Sequence, residues 1–295
     1  MTALALDIGG TKLAAGLVAS DGTLLDEHRV PTPATGVWDA AAGLLRAVAG
    51  GRTVTAVGIA SAGPVDVGAG TVAPLNISEW RGGFPIVEGT RSLFTRATVR
   101  LAIDGACCTL AEHRLGAGRG TGDLLGMIVS TGIGGGLVLG GAVVAGRTGN
   151  AGHIGHVVVP DAEDTPCACG GVGCLEAVAS GPSSVRWANS RGWRGATGVE
   201  LAASARAGDA VALAALDRAG TALGAAIAST AALADLDLAV VGGGFALAGP
   251  ALWEPMRAAA RRRAGLSFTR GLRIVPAELG GSATLAGAAA LTLGE

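Results

Sequence analysis

One pattern occurs twice in this chain: an apolar strand, a polar glycine turn, and a second apolar strand. Residues 4–18 hold it around Asp7-Ile8-Gly9-Gly10-Thr11-Lys12, and residues 124–139 hold it around Thr131-Gly132-Ile133-Gly134-Gly135-Gly136. Short apolar runs separated by such a turn read as β-hairpins rather than as strand-to-helix junctions. The echo points to two related halves, and 295 residues suit two domains of ordinary size. Asp21-Gly22-Thr23 adds a turn that makes the opening a β-meander. Further strands are expected at 55–60, 98–103 and 238–241. Apolar residues at helical spacing predict helices at 38–49, 106–115, 255–264 and 283–293, and over 199–233 with a break near Gly208-Asp209. The class is α/β. The expected division is an N-terminal domain over 1–104, joined by the terminal helix 283–295, and a larger domain over 105–282.

Charge narrows the function. A net charge of −1 leaves no basic footprint for nucleic acid and no polybasic patch for a membrane surface. Asp7 interrupts the first apolar run and no basic segment precedes it, so a signal peptide is not expected. Residues 124–146 lack charge and are long enough to cross a bilayer. Their central Ser130-Thr131-Gly132 and Gly134-Gly135-Gly136 read instead as strand, turn, strand. A cytoplasmic protein is expected. With 51 glycines and only 3% aromatic residues, its core must be built from small aliphatic side chains packed closely.

The glycine turns carry the first chemical candidates. Glycines let backbone amides approach a polyphosphate, Lys12 offers a neutralising charge, and Asp7 suits a Mg²⁺ ion held through water. The plainer alternative is a hairpin in which Asp7 caps backbone N–H groups. The second turn, Thr131 to Gly136, lets two turns grip one phosphate chain. Gly242-Gly243-Gly244, after a strand, offers a third close-approach surface for a flat nucleoside. Jointly these favour nucleotide binding over three unrelated turns.

Asp104 stands at the end of a strand and the start of a helix, where α/β folds place ligands. It can accept the proton of an attacking hydroxyl, or it can simply cap the helix, a position that suits Asp. Glu176 faces a similar choice, since an acid in a helix's first turn matches the dipole, and His153 can be an ordinary loop histidine. Cys167, Cys169 and Cys174 form a C-x-C-G-x-x-G-C knot with His156 upstream. Three thiolates and an imidazole make a closed tetrahedral set of the kind structural zinc occupies. A disulfide plus a spare thiol is the alternative, though 5 cysteines are an odd number. The Arg261-Arg262-Arg263 run reads as a charge match to a helix C-terminus.

Taken in order, Asp7 to Lys12, the Gly63-Pro64 turn, Thr131 to Gly136, Ala151-Gly152-His153-Ile154-Gly155-His156 and the C-x-C-G-x-x-G-C-x-E knot resemble the ROK family of sugar kinases. The resemblance implies a two-domain actin-like (ribonuclease H-like) ATPase fold with a zinc-binding loop, sugar and ATP meeting between the domains, and commonly a homodimer. It makes Asp104 the catalytic base. Gly63, Asn76, His153, His156 and Glu176 become sugar-lining residues, and His156 also a zinc ligand. Asp7 through Lys12, Thr131 through Gly136, Gly242 and Gly243 are assigned to ATP and Mg²⁺. Within the family, the Ala-Gly-His-Ile-Gly-His form resembles bacterial N-acetylmannosamine kinases, whereas most glucokinases carry Glu where this chain has His153. One departure stands out: the family usually reads Asn-Asp where this chain has Ile103-Asp104. A sugar-binding protein with little catalysis and a sugar-responsive repressor are the rivals.

Overall fold

The computed structural model describes residues 2–160, 162 and 164–293. They group into two compact units: Met1–Gly120 with Gly136–Gly152 and Leu279–Glu295, and Thr121–Gly135 with His153–Glu278.

In the first unit β1 (Thr2–Ile8) and β2 (Lys12–Ala19) form the expected hairpin, and β3 (Leu24–Pro31) extends it to a meander. There follow α1 (Val37–Ala49), β4 (Ala56–Ser61), the short pair β5 (Val65–Asp66) and β6 (Thr71–Val72), α2 (Ile86–Leu93), β7 (Thr98–Ile103) and α3 (Asp104–Leu115). The main sheet runs β3-β2-β1-β4-β7, with β1, β4 and β7 parallel. β1 and β4 are buried along nearly their whole length, as strands covered on both faces must be. β3, at the edge, carries Asp26, Glu27, His28 and Arg29, charges that discourage pairing with another chain. The parallel register sets Ile8 opposite Ser61 and Ser61 opposite Ile103. Asp7 and Asp104 therefore arrive at the same carboxyl edge of the sheet.

The chain continues through β8 (Leu124–Val129), β9 (Ile133–Leu139), β10 (Ala142–Val143), α4 (Leu175–Ala179), α5 (Gly181–Asn189), α6 (Gly198–Arg206), α7 (Ala210–Ala234), β11 (Leu238–Gly242), α8 (Pro250–Arg263), β12 (Arg273–Pro276) and α9 (Ala283–Ala290). A second sheet has the order β10-β9-β8-β11-β12, repeating the hairpin-plus-parallel-strand plan of the first. The charge-free stretch 124–146 is thus strand and turn. Among the described residues α7 alone is long and apolar enough to cross a membrane, but 61% of its apolar window is buried, and α8 packs along it.

Glycine explains how so few aromatic residues suffice. A Cβ on Gly58 of β4 would overlap the Ala288 carbonyl of α9, and one on Gly287 would overlap the Cys107 carbonyl of α3. Gly220 and Gly224 of α7 do the same for the Leu252 and Met256 carbonyls of α8. Backbone packs on backbone, and a methyl group at any of these positions would force the elements apart. The α3–α9 contact also groups α3 with the first unit rather than with residues 121 onward. α8 begins at Pro250, five residues before the start expected at 255, because Pro255 sits inside the helix instead of opening it. Helices α2 and α5 had no counterpart in the sequence reading. The Ser180 hydroxyl caps α5 by accepting from Ser183 N at 3.3 Å.

Candidate active site

The first unit gathers its candidates around the β1–β2 turn. Gly9 N donates to Lys12 O at 3.1 Å, closing the turn, and Thr32 Oγ1 holds the Gly9 carbonyl at 2.6 Å. Gly10 lies so close to Asn76 that a Cβ would overlap the side-chain amide. The expected sugar residue and the expected phosphate turn are thus neighbours. Lys12, Thr11 and Asn76 are exposed. Gly63 leads into a cis peptide bond with Pro64, and Ala62 N donates to Ile8 O at 2.9 Å, tying that loop to the end of β1.

Asp7 feels the charge of Asp104. The surrounding protein pushes the Asp7 carboxyl up to about 7, with burial the larger cause and Asp104 the next, against partial relief from Lys12 and Arg29. Burial also raises Asp104 to about 6, and the Gly105 N–H, donating to Oδ1 at 2.7 Å, opposes it. Asp104 is the first residue of α3 but does not cap it: Ile103 occupies the capping position and makes no side-chain cap bond. One carboxylate oxygen, Oδ1, is taken by the first-turn Gly105 N–H, and no hydrogen bond to Oδ2 is made among the described residues.

The second unit assembles the remaining candidates. Glu176 stands in the first turn of α4, and its Oε2 accepts from Ile133 N at 2.7 Å. That bond draws the carboxylate against the Thr131–Ile133 turn, where Gly132 leaves room for it. Thr131 is exposed, while Gly135 and Gly136 are buried. Gly136, at the point where the chain enters the first unit, packs on Ala106 and Thr109 of α3, so its lack of a side chain serves packing. Gly243 has φ 95° and crosses the Val129 carbonyl of β8 so closely that no Cβ fits. The His153 ring lies 5.7 Å from that of His156, and its buried Nε2 has no hydrogen-bond partner among the described residues. Burial, then His156, lowers the His153 pKa, and Glu176 opposes the shift. A neutral imidazole with an orphan nitrogen suits a polar ligand.

His156, Cys167, Cys169 and Cys174 present ligand atoms that all lie within 4.8 Å of one another. All five cysteines are free thiols in this structure. Cys169 Sγ is 3.8 Å from Cys174 Sγ, and Cys167 Sγ is 3.8 Å from His156 Nδ1. A tetrahedron with Zn–S bonds near 2.3 Å has edges of about 3.8 Å, so the four residues fit zinc. Gly170 (φ 91°) and Gly173 (φ 78°) make the turns that close the knot.

Asn150 is a residue the sequence reading passed over. Its amide pairs with the Val65 backbone through two hydrogen bonds, Val65 N to Oδ1 at 2.9 Å and Nδ2 to Val65 O at 2.6 Å. The loop before His153 is thereby fixed beside the Gly63-Pro64 turn. The only signal in the sequence was its place within the glycine-rich stretch.

Comparison with known proteins shows the family. N-acetylmannosamine kinase of Escherichia coli is 36% identical over 84% of this chain and 84% of its own length. Glucokinase of Streptomyces coelicolor is 32% identical over 98% of this chain and 96% of its own. The structure of a ROK family glucokinase from Streptomyces griseus, in complex with glucose and AMPPNP, is 34% identical and superposes with a TM-score of 0.84 over 99% of both chains. The ROK family profile matches residues 3–295, and with that span and these identities the chain belongs to the ROK family.

Proposed function

We propose that this ROK kinase transfers the terminal phosphate of ATP to the 6-hydroxyl of a hexose, with N-acetylmannosamine as its preferred sugar. The observation that carries the reading is Asp104: a carboxylate at the sheet's carboxyl edge, held through Oδ1 by the Gly105 N–H, with its pKa raised to about 6. It is ionised at neutral pH yet more basic than an ordinary Asp, which suits a base that takes a hydroxyl proton. Gly63, Asn76, His153, His156 and Glu176 are the proposed sugar contacts. The unpartnered Nε2 of His153 is the group we assign to recognition of the sugar. Asp7 to Lys12, Thr131 to Gly136, Gly242 and Gly243 are the proposed ATP contacts. Asp7, raised to about 7 beside a second carboxylate, suits a Mg²⁺ held through water. Mg²⁺ with ATP would supply positive charge to the transferring phosphate. Zinc in the four-ligand knot would have no open coordination position and would be structural.

The choice of N-acetylmannosamine rests on His153 and on the 36% identical Escherichia coli relative. Glucose is the second reading, because the 32% identical glucokinase covers more of both chains. A coupled ADP-release assay over a sugar panel decides. Faster turnover of glucose would overturn the sugar and keep the kinase, while sugar binding without ADP release would overturn the kinase. Free thiols fit a reducing cytoplasm, and gel filtration tests the homodimer that the resemblance implies.

A further inference from the structure

A cavity of about 340 Å³ lies between α8 and the connection that leads into β12. Arg257, Arg261 and Arg270 line it, and no carboxylate does. Its remaining wall is Thr269 and aliphatic side chains that include Leu272 and Ile274. The register of β11 with β12 sets Leu238 opposite Arg273, so Leu272 and Ile274 sit at the amino end of this strand pair. Gly242, assigned above to ATP, is the last residue of β11, and Gly243 follows it. The cavity is therefore at the opposite edge of the sheet from that turn, and it shares no residue with the proposed active site.

Three guanidinium groups around one small volume repel each other unless an anion joins them. One of the three is already positioned: Arg257 donates through Nε and Nη2 to the Ile274 carbonyl, at 3.2 and 3.1 Å, and its guanidinium lies 4.9 Å from the Trp253 ring centre. Arg261 and Arg270 are exposed, and their side chains make no hydrogen bond or ion pair among the described residues. The Arg261 side chain does more than match the helix dipole. Guanidinium groups present paired N–H donors in the geometry of phosphate oxygens. The aliphatic wall favours an organic body over a bare ion, and the volume lies at the small end of the range for ligand pockets.

We propose that this cavity is a second anion site, for a phosphate monoester of about sugar size, and the proposal does not depend on the kinase assignment. Equilibrium dialysis of the full chain tests it with labelled glucose 6-phosphate and, separately, labelled inorganic phosphate. The comparison protein is the double variant Arg261→Gln/Arg270→Gln, since both side chains are exposed and can be removed without disturbing the fold. The native chain should take up one equivalent of ester more than the double variant does, and that extra equivalent should weaken at least tenfold between about 50 and 300 mM salt. Equal uptake by the two proteins would overturn the site. Inorganic phosphate filling the extra site as tightly as the ester would overturn the ligand class. A circular dichroism melt checks that the variant folds. If it does not, each single Gln variant should still weaken the extra equivalent about tenfold, and an unchanged affinity in both would overturn the proposal.

Discussion

The side-chain amide of Asn150 pairs with the backbone of Val65 as a neighbouring strand would, accepting from its N–H and donating to its carbonyl. The same Nδ2 donates to Thr148 Oγ1 at 2.9 Å, and Val67 N donates to Thr148 O at 2.9 Å. Segments 65–67 and 148–150 are thus clipped together one residue beyond Gly63-Pro64. Gly149, with φ 97°, sits so tightly against Val67 that no side chain fits there. Asn supplies donor and acceptor in one short planar group.

Replacing Asn150 by Ala should leave the Val65 N–H without its partner. The expected cost is about 1–3 kcal/mol, the range for a half-buried polar group that loses its bond. If Gly63 lines the sugar, the KM for sugar should rise severalfold while the KM for ATP stays unchanged. Asn150→Asp keeps the acceptor for Val65 N but sets a carboxylate oxygen against the Val65 carbonyl, so it should cost at least as much as Asn150→Ala. Chemical denaturation and the paired KM values check this. A variant with native stability and native sugar KM would show the clip to be idle.

Much of this was legible beforehand. The paired strand–turn–strand pattern gave both hairpins, and the C-x-C-G-x-x-G-C spacing gave the ligand set now found within 4.8 Å. What the sequence hid were relations between distant residues. Nothing near Asn150 names Val65 as its partner, 85 positions away. The apolar spacing placed a helix from Pro255, yet the helix opens at Pro250 and carries Pro255 inside it. Gly136 looked like part of a phosphate turn, and only the packing of α3 against it gives its absent side chain a structural reason.

Asp104→Asn separates activity from stability. Without the base, turnover should fall by about 10²–10⁴ while ATP affinity is largely kept. In the native chain kcat/KM should drop about tenfold per pH unit below roughly pH 6, as Asp104 takes up a proton. Stability has the opposite sign. A carboxyl raised from 3.8 to about 6 holds its proton more tightly in the folded chain. Its favourable contribution is complete below pH 3.8 and is lost as pH rises through about 6. Asp7 acts the same way up to about 7, tempered by Lys12 and Arg29 and reinforced by Glu27. At pH 8 the inactive Asn variant should therefore unfold later than the native chain, by about 1–2 kcal/mol once solvent exposure is allowed for. At pH 4 the difference should vanish. Melts of both proteins at the two pH values decide it, and an Asn variant less stable at pH 8 would contradict the burial argument.

Zinc removal should act locally before it acts globally. The backbone bonds of the knot include Cys167 N to Gly171 O at 2.8 Å, Gly173 N to Thr165 O at 2.9 Å and Val159 N to Gly173 O at 3.1 Å. Four ligands gathered without a metal would leave thiols crowded at 3.8 Å. Elemental analysis should find about one zinc per chain. Cys169→Ser, or a strong chelator, should expose residues 165–175 to protease while strands β1 and β8 stay protected from hydrogen exchange. A zinc-free preparation with an intact, protease-resistant knot would refute the assignment.

Ile103→Asn tests the departure next to the base. The Ile103 side chain is only 2% exposed and belongs to the first unit's core. Its backbone, at φ −67° and ψ 149°, already has the extended geometry of a helix-capping residue. Asn is among the best caps, worth about 1 kcal/mol to α3. Against this stand the lost burial of an Ile side chain, about 1.5–3 kcal/mol, and the cost of seating an amide among apolar neighbours. The losses outweigh the cap. The variant should unfold about 1–3 kcal/mol more easily on those magnitudes. If the substituted amide reaches sugar hydroxyls, as the family's usual Asn-Asp implies, its KM for sugar should fall even so. A lower KM together with lower stability would mean that this chain carries an isoleucine for its core at the expense of its substrate. An unchanged KM would mean that position 103 never faces the sugar.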